Sequence, residues 1–536
     1  NGKQWPTAYH GYNVYDPNRA NRYFGCEDEQ RSKEKLKELV DVCHENGIKV
    51  ILDVVPNHVG DYLQGTGKNA HYIDANGLKS GTQTKPVSPF DNIDWYHNLG
   101  DIDFSNEHPH CDATTSMIEN HDLGGLDDID FDNLINNENN KAIKTMHEYF
   151  KNEEGTKQNE YTDYFKGKNL ILFMAESFNE IAVREDLTPT LYKLVNSGFV
   201  FNNFYTPTIS STIGGEFQEL TGLVAASGFL GPWKSGNNYF PFGIGKVFKD
   251  MDYNTFAYHD HSVYFQNRYI YLKSLGFDNF KGCFNGLEKS INCKIWPESD
   301  VEMIDATIDD YINSDKPFFT YYVTVSGHGG YTFSSSAMAK KHMNEVKDLN
   351  ISEKPKAYLA AQIELDRALE DLIKKLDEAG KLDDTVIALV GDHYPYYLSV
   401  DEVNEIADYE KDGIIEINRS NFILWNNKMD IVTVDKVGSE IDVLPTLYNL
   451  FGVKYDSRLI IGKDILSTEP GLAIFGNRSW VSDKGSYFSQ KNKFVPKDNV
   501  SADDDYISYM NTLVNNRMSM SKNIMVNDYY KKVLGD

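Results

Sequence analysis

Three runs of β-forming residues, far apart in the chain, each stop at a side chain able to bind a metal ion or a phosphate. Residues 169–175, Asn-Leu-Ile-Leu-Phe-Met-Ala, end in Glu176. Residues 318–325, Phe-Phe-Thr-Tyr-Tyr-Val-Thr-Val, end in Ser326-Gly327-His328. Residues 385–390, Thr-Val-Ile-Ala-Leu-Val, end in Gly391-Asp392-His393. Strands apolar on both faces belong to a parallel sheet covered by helices. In open α/β sheets the ligand crevice lies at the carboxyl ends of the strands. The pattern therefore predicts an α/β fold in which a carboxylate, an Asp-His pair and a second histidine converge on one sheet edge. That layout suits a metal-dependent phosphotransferase or phosphatase.

A length of 536 residues suggests two or more domains. The net charge of −27 argues against nucleic acid as a partner, because a phosphate backbone needs a basic footprint. A lipid or glycan substrate stays open, since a local basic pocket can sit in an acidic whole. The sequence has no apolar run of roughly eighteen residues, so no membrane-spanning segment is expected. The chain opens on Asn1 rather than Met, as a fragment or processed product would. Its five cysteines form no CxxC pair, so a zinc ribbon is not expected. Cys283 and Cys293 flank a short loop; a disulfide in an exported protein and two free thiols are both open readings there.

The two halves differ. In the first, Leu36, Leu39, Val40 and Cys43 mark one helix face, with Ser32 as cap and Gly47 as stop. A strand over 48–55 follows, then Pro56-Asn57-His58, then a loop-rich stretch from about Gly60 to Asn133. A polar stretch at 133–140 marks the join, and a helix is expected over about 140–152. From Phe165 strands and helices alternate, as in βαβ units. Leu365, Leu369, Leu372 and Leu376 form a helical stripe that Gly380 stops, and beyond about Gln490 the chain is polar and rich in Asn and Asp.

The first half resembles the start of an α-amylase-family (β/α)₈ barrel. The residues that carry the likeness are Ala8-Tyr9-His10-Gly11-Tyr12, Tyr23-Phe24-Gly25, the segment from Gly47 to His58, and Leu126-Asp127-Asp128-Ile129-Asp130. The resemblance implies a Ca²⁺ near Asn57 and Asp128, with His58 and Tyr12 lining a sugar site. The Gly-Phe-Arg-x-Asp nucleophile motif and the matching acid Glu are missing from the sequence. Glycosidases need two carboxylates across the scissile bond, so this segment is not expected to hydrolyse glucans.

The second half resembles the lipoteichoic acid synthase family of the alkaline-phosphatase/sulfatase superfamily, over about 140–536. The matching segments are 169–178, Leu187-Thr188-Pro189-Thr190-Leu191, Ser211-Thr212-Ile213-Gly214-Gly215-Glu216-Phe217, Leu220-Thr221-Gly222-Leu223, Gly391-Asp392-His393-Tyr394-Pro395 and 442–447. The resemblance implies that Glu176, Thr212, Asp392 and His393 bind one divalent ion, Mn²⁺ first, with Mg²⁺ or Zn²⁺ as alternatives. It implies that Thr212 is the nucleophile and that His259, Arg268 and His328 hold the glycerol phosphate. Gln266 stands where that family often has Trp, and Ser211 where Lys or Gly is common, which leaves the head group open. No cysteine starts the C/S-x-P-x-R pattern of ordinary sulfatases, which disfavours sulfate esters.

These readings predict a partial amylase-like segment over 1–133, a linker with a helix over 134–164, a catalytic α/β/α sandwich over 165–490, and a polar tail over 491–536 packed on it. The expected activity is transfer of a glycerol phosphate unit from a phospholipid to a surface glycan or polymer, at the outer face of a bacterial cell membrane. A phosphodiesterase, phosphatase or sulfatase-like hydrolase is the alternative, and α-glucan binding through 1–133 a second one.

Overall fold

The structure is a computed structural model that describes residues 129–498 and 500–535, together with three short strands nearer the N-terminus. The chain divides into two compact units, residues 1–106 and 107–536. In the first, strands β1 (Leu63–Gln64), β2 (His71–Ile73) and β3 (Lys79–Ser80) form a small antiparallel sheet. The expected helix near Leu36 and strand at 48–55 lie outside the described residues, as do Asn57, His58 and Asp128.

The second unit is built on a nine-stranded sheet of β4 (Asn169–Ala175), β5 (Phe199–Tyr205), β6 (Asn254–Ser262), β7 (Asn279–Cys283), β8 (Phe318–Val323), β9 (Thr385–Gly391), β10 (Arg419–Ser420), β11 (Ile423–Asn426) and β12 (Val432–Ser439). Its spatial order is β10-β5-β11-β9-β4-β8-β6-β7, with β12 pairing β5. The three runs picked out by sequence are the adjacent parallel strands β9, β4 and β8. Their alternation sorts side chains onto two cores. Leu170, Leu172 and Met174 enter one, with Val386, Ala388 and Val390. Ile171, Phe173 and Ala175 enter the other, with Ile387 and Leu389. A strand buried on both faces needs helices on both, and these complete an alkaline-phosphatase-like α/β/α sandwich.

The longest helix, Glu353–Glu378, covers one face through the buried stripe of Leu365, Leu369, Leu372 and Leu376. Ser211–Thr221 and Val443–Phe451 cover the other. Two segments read from sequence as linker and tail are built into this second core. Helix Lys141–Asn152 is capped by Asn140 and buries Ile143, Met146 and Phe150. After a small antiparallel sheet of β13 (Leu472–Ile474), β14 (Trp480–Ser482), β15 (Gly485–Phe488) and β16 (Lys493–Pro496), a 24-residue helix spans Asp504–Asn527. It buries Met510, Val514, Met520, Ile524 and Met525, and Tyr529 beyond it stacks on Phe150. The composition of that helix hides it. Its apolar stripe is mostly Met, set among Asn and Ser that favour turns.

Cys283 and Cys293 are joined by a disulfide across Cα atoms 5.9 Å apart. Among the described residues, no helix is long and apolar enough to cross a membrane.

Candidate active site

Sheet register assembles the site. Ala175 pairs with Gly391, so the next residues, Glu176 and Asp392, emerge side by side at the carboxyl ends of β4 and β9. Ser177 takes a left-handed backbone (φ 55°), uncommon for a residue with a Cβ. Its N–H donates to Asp392 Oδ1 at 2.7 Å and its hydroxyl to Glu176 Oε1 at 2.8 Å. The strained serine thus holds both carboxylates in place.

Thr212 lies in the first turn of helix Ser211–Thr221. Ser210 and Ser211 before it are both left-handed, and Ser211 Oγ lies 2.8 Å from Tyr396 Oη. The sequence suggests a glycine turn here that lets amides approach a substrate. The structure instead places Gly214 and Gly215 inside the helix. A Cβ on Gly215 would sit 2.3 Å from the Asp392 carbonyl oxygen, so glycine is what lets the helix reach the end of β9. That close approach sets Thr212 Oγ1 3.3 Å from His393 Nε2 and 3.4 Å from Glu176 Oε2.

The donor set calls for a cation. Atoms of Glu176, Asp392 and His393 lie within 4.8 Å of one another, and all three residues are buried. His393 Nδ1 is 2.9 Å from the Tyr394 carbonyl, which can only accept, so Nδ1 carries the proton and Nε2 presents a lone pair. That lone pair faces Asp392 Oδ2 at 3.2 Å and Glu176 Oε1 at 3.6 Å. Asp392 Oδ2 is buried with no hydrogen-bond partner. Burial, then the neighbouring Asp392 charge, push the Glu176 carboxyl up to about 8. Two carboxylates and an imidazole lone pair aimed at one point repel unless a positive ion lies between them. Three protein donors of this type, with a hydroxyl beside them, fit Mn²⁺, Mg²⁺ or Zn²⁺.

The three residues that the resemblance implies for phosphate binding sit on β6, at the start of helix Arg268–Ser274 and after β8. His259 is on β6, and its Nδ1 is 3.0 Å from the Val323 carbonyl while its buried Nε2 has no partner. Burial, then the Arg268 charge, keep that imidazole well below its ordinary pKa. Arg268 is also buried, and most of its guanidinium is already engaged within the protein. Nε and Nη2 grip Glu216 at 3.0–3.1 Å, Tyr271 Oη donates to the same carboxylate at 2.6 Å, and buried Nη1 alone is left without a partner. Glu216 sits four residues after Thr212, on the same helix face, so one helix positions both nucleophile and arginine. That i, i+4 spacing is the signal in the sequence that could have assigned Glu216 its role. His328 follows β8, with its ring centroid 4.7 Å from that of Trp296. Trp296 and Tyr396 also line the site, and no sequence motif marks either.

Comparisons with known proteins bear on the family and the fold. The Sulfatase family model matches residues 168–453, and the Alpha amylase, catalytic domain model matches residues 4–123. The chain is 24% identical over 356 residues to the lipoteichoic acid synthase-like YvgJ of Bacillus subtilis (strain 168), covering 62% of this chain and 56% of that protein. It is 35% identical over 126 residues to the beta/alpha-amylase of Paenibacillus polymyxa, covering 24% of this chain and 8% of that one. The crystal structure of the lipoteichoic acid synthase LtaP from Listeria monocytogenes superposes with a TM-score of 0.56 at 21% identity, covering 72% of this chain and 98% of that chain. The chain spans about half the length of the lipoteichoic acid synthase relatives it matches. With residues 168–453 of 536 matched by its model, the chain belongs to the sulfatase family, and the part that bears the site is similar to the lipoteichoic acid synthases.

Proposed function

We propose that this chain is a metal-dependent phosphotransferase that moves a glycerol phosphate unit from a phospholipid to a surface glycan or polymer, with Thr212 as nucleophile. The observation that carries the reading is the Thr212 hydroxyl, set 3.3 Å from His393 Nε2 and 3.4 Å from Glu176 Oε2 at a helix N-terminus. Glu176, Asp392, His393 and Thr212 would hold the divalent ion, Mn²⁺ first. When bound, such an ion lowers the pKa of an adjacent hydroxyl and offsets charge on a phosphoryl oxygen. Thr212 Oγ attacks phosphorus, its O–P bond forms, and the phosphorus–oxygen bond to the lipid alcohol breaks. An acceptor hydroxyl then forms its own bond to phosphorus and releases Thr212 Oγ. The helix N-terminus favours the negative charge that gathers there. Arg268 Nη1 and His259 Nε2, the unpartnered buried atoms, orient the phosphate and the glycerol hydroxyls.

The nitrogens of His259 divide these roles. With Nδ1–H donating to Val323, Nε2 accepts, which suits a hydroxyl of the head group. The Cys283–Cys293 disulfide supports an oxidising location such as the outer face of a cell membrane. Hydrolysis shares the first step and differs only in the acceptor. The test is product analysis with head-group-labelled phosphatidylglycerol and Mn²⁺, with and without a glycan acceptor. Label on the glycan supports transfer, and free glycerol phosphate alone assigns a phosphodiesterase. Lipid left intact by the Mn²⁺-loaded protein would sink the proposal.

A further inference from the structure

A chain of aromatic rings runs around the mouth of the site from the phosphate pocket to the metal-binding cluster. In succession, centroids lie 5.9 Å apart for His259–His261, 5.0 Å for His261–Trp296 and 4.7 Å for Trp296–His328. The chain continues at 6.4 Å for His328–Tyr397, 5.1 Å for Tyr397–Tyr396 and 4.4 Å for Tyr396–His393. Both ends are anchored in groups already assigned to the site. Its middle faces solvent: Trp296 is 40% and Tyr397 51% exposed.

The collar is held in place by the fold. The disulfide at Cys293 ties the loop that carries Trp296 to the end of β7. A Cβ on Gly329 would sit 1.9 Å from the Tyr397 ring, so only glycine lets that ring lie over the loop after β8. Polar atoms interleave with the aromatic faces. His261 Nδ1 lies 2.9 Å from Glu298 Oε1. The carboxylate accepts a hydrogen bond from Nδ1–H, which leaves Nε2 of that partly exposed ring for a polar partner. Glu298 Oε2 is buried without a partner.

We infer that this collar is the subsite for the acceptor, and that the acceptor it takes is a pyranose sugar with Trp296 as its stacking platform. This rests on the transfer reading above. A sugar ring offers an apolar C–H face and an edge of hydroxyls, which match an exposed aromatic face flanked by imidazole and carboxylate groups. An acyl chain would want a continuous apolar groove, and the His261 and His328 imidazoles interrupt this one. The collar is continuous, through His259 and His393, with the centre where phosphorus would be attacked.

Two measurements on the full chain test the proposal. The first is saturation-transfer NMR with methyl glucoside, methyl galactoside and N-acetylglucosamine, which reads sugar binding whether or not the protein turns over. At least one sugar should give a signal that Trp296→Ala removes and Trp296→Phe largely keeps. The second is the ratio of glycerol phosphate transferred to that sugar over glycerol phosphate released to water. That ratio should fall roughly tenfold in Trp296→Ala, the scale of one lost stacking contact. No signal from any of the three sugars, or equal signals and ratios in wild type and Trp296→Ala, overturns the subsite. Sugar binding that depends on Trp296 in a protein without phosphotransfer would keep the subsite and discard the transfer reading.

Discussion

The Glu216–Arg268 pair gives a prediction whose size follows from its burial. The two side chains are 0% and 1% exposed, and three contacts of 3.0–3.1 Å join them. Glu216→Gln leaves a guanidinium buried without its counter-charge. Breaking a buried pair from one side costs about 3–5 kcal/mol. For a unit as large as residues 107–536, unfolding entropy of about 2.1 cal/mol/K per residue converts that into a melting shift of roughly 3–6 °C. Arg268→Met should cost a similar amount, because the Glu216 carboxylate is then stranded. Both changes together should cost less than the sum of the singles, since neither charge is left alone. The assay is denaturant and thermal unfolding of the four proteins at one pH, with turnover measured in parallel. Turnover should not return in the double variant, because the proposed phosphate-binding Nη1 is gone. Losses that simply add, or singles as stable as wild type, would refute the pairing as the reason Arg268 is fixed.

Three other outcomes are expected. In metal-free protein Asp392→Asn should raise the melting temperature, because it removes a buried carboxylate beside Glu176, and it should abolish the upward shift that Mn²⁺ gives wild type; thermal melts with and without Mn²⁺ check both signs. Burial opposes ionisation of Glu364, but hydrogen bonds from His342, Lys341 and Ser299 outweigh it and hold the carboxyl at about 2. Its folded pKa is depressed, so its contribution of about 3 kcal/mol is complete above pH 4.5 and is lost as pH falls towards 2, and Glu364→Gln should flatten stability across that window. A chain starting at residue 129 keeps Ile143, Met146 and Phe150 in the core, whereas one starting at 165 strips them and should be less stable by at least 3 kcal/mol, roughly the cost of one buried phenylalanine.

The strands were legible in the sequence because burial on both faces leaves an uninterrupted apolar run, as in Leu170-Ile171-Leu172-Phe173-Met174. Register then follows from the sheet, so residues just past the strand ends, Glu176 and Asp392, meet without further signal. Helix Asp504–Asn527 was illegible because its buried face is Met-rich and broken by Asn and Ser. Gly214-Gly215 read as a turn because glycine disfavours helices, and the approach to Asp392 that overrides this preference is a tertiary fact. Trp296 and His261 carry no motif. His261 follows His259 by two residues on β6, and only the folded loop, tied at Cys293, brings the Trp296 ring to His261 and His328. Of the residues the resemblance implies, the Thr212, Glu176, Asp392 and His393 side chains come together in space, while Asn57, His58 and Asp128 lie outside the described residues.

The central claim is that Thr212 carries the phosphoryl group between donor and acceptor. The direct measurement is peptide mass spectrometry of the Mn²⁺-loaded protein, quenched in acid after brief exposure to phosphatidylglycerol without acceptor. The account predicts a glycerol phosphate adduct on Thr212, absent from Thr212→Ala, and discharged when acceptor is added before the quench. An adduct on Ser210 or Ser211, or turnover by Thr212→Ala approaching wild type, would contradict it.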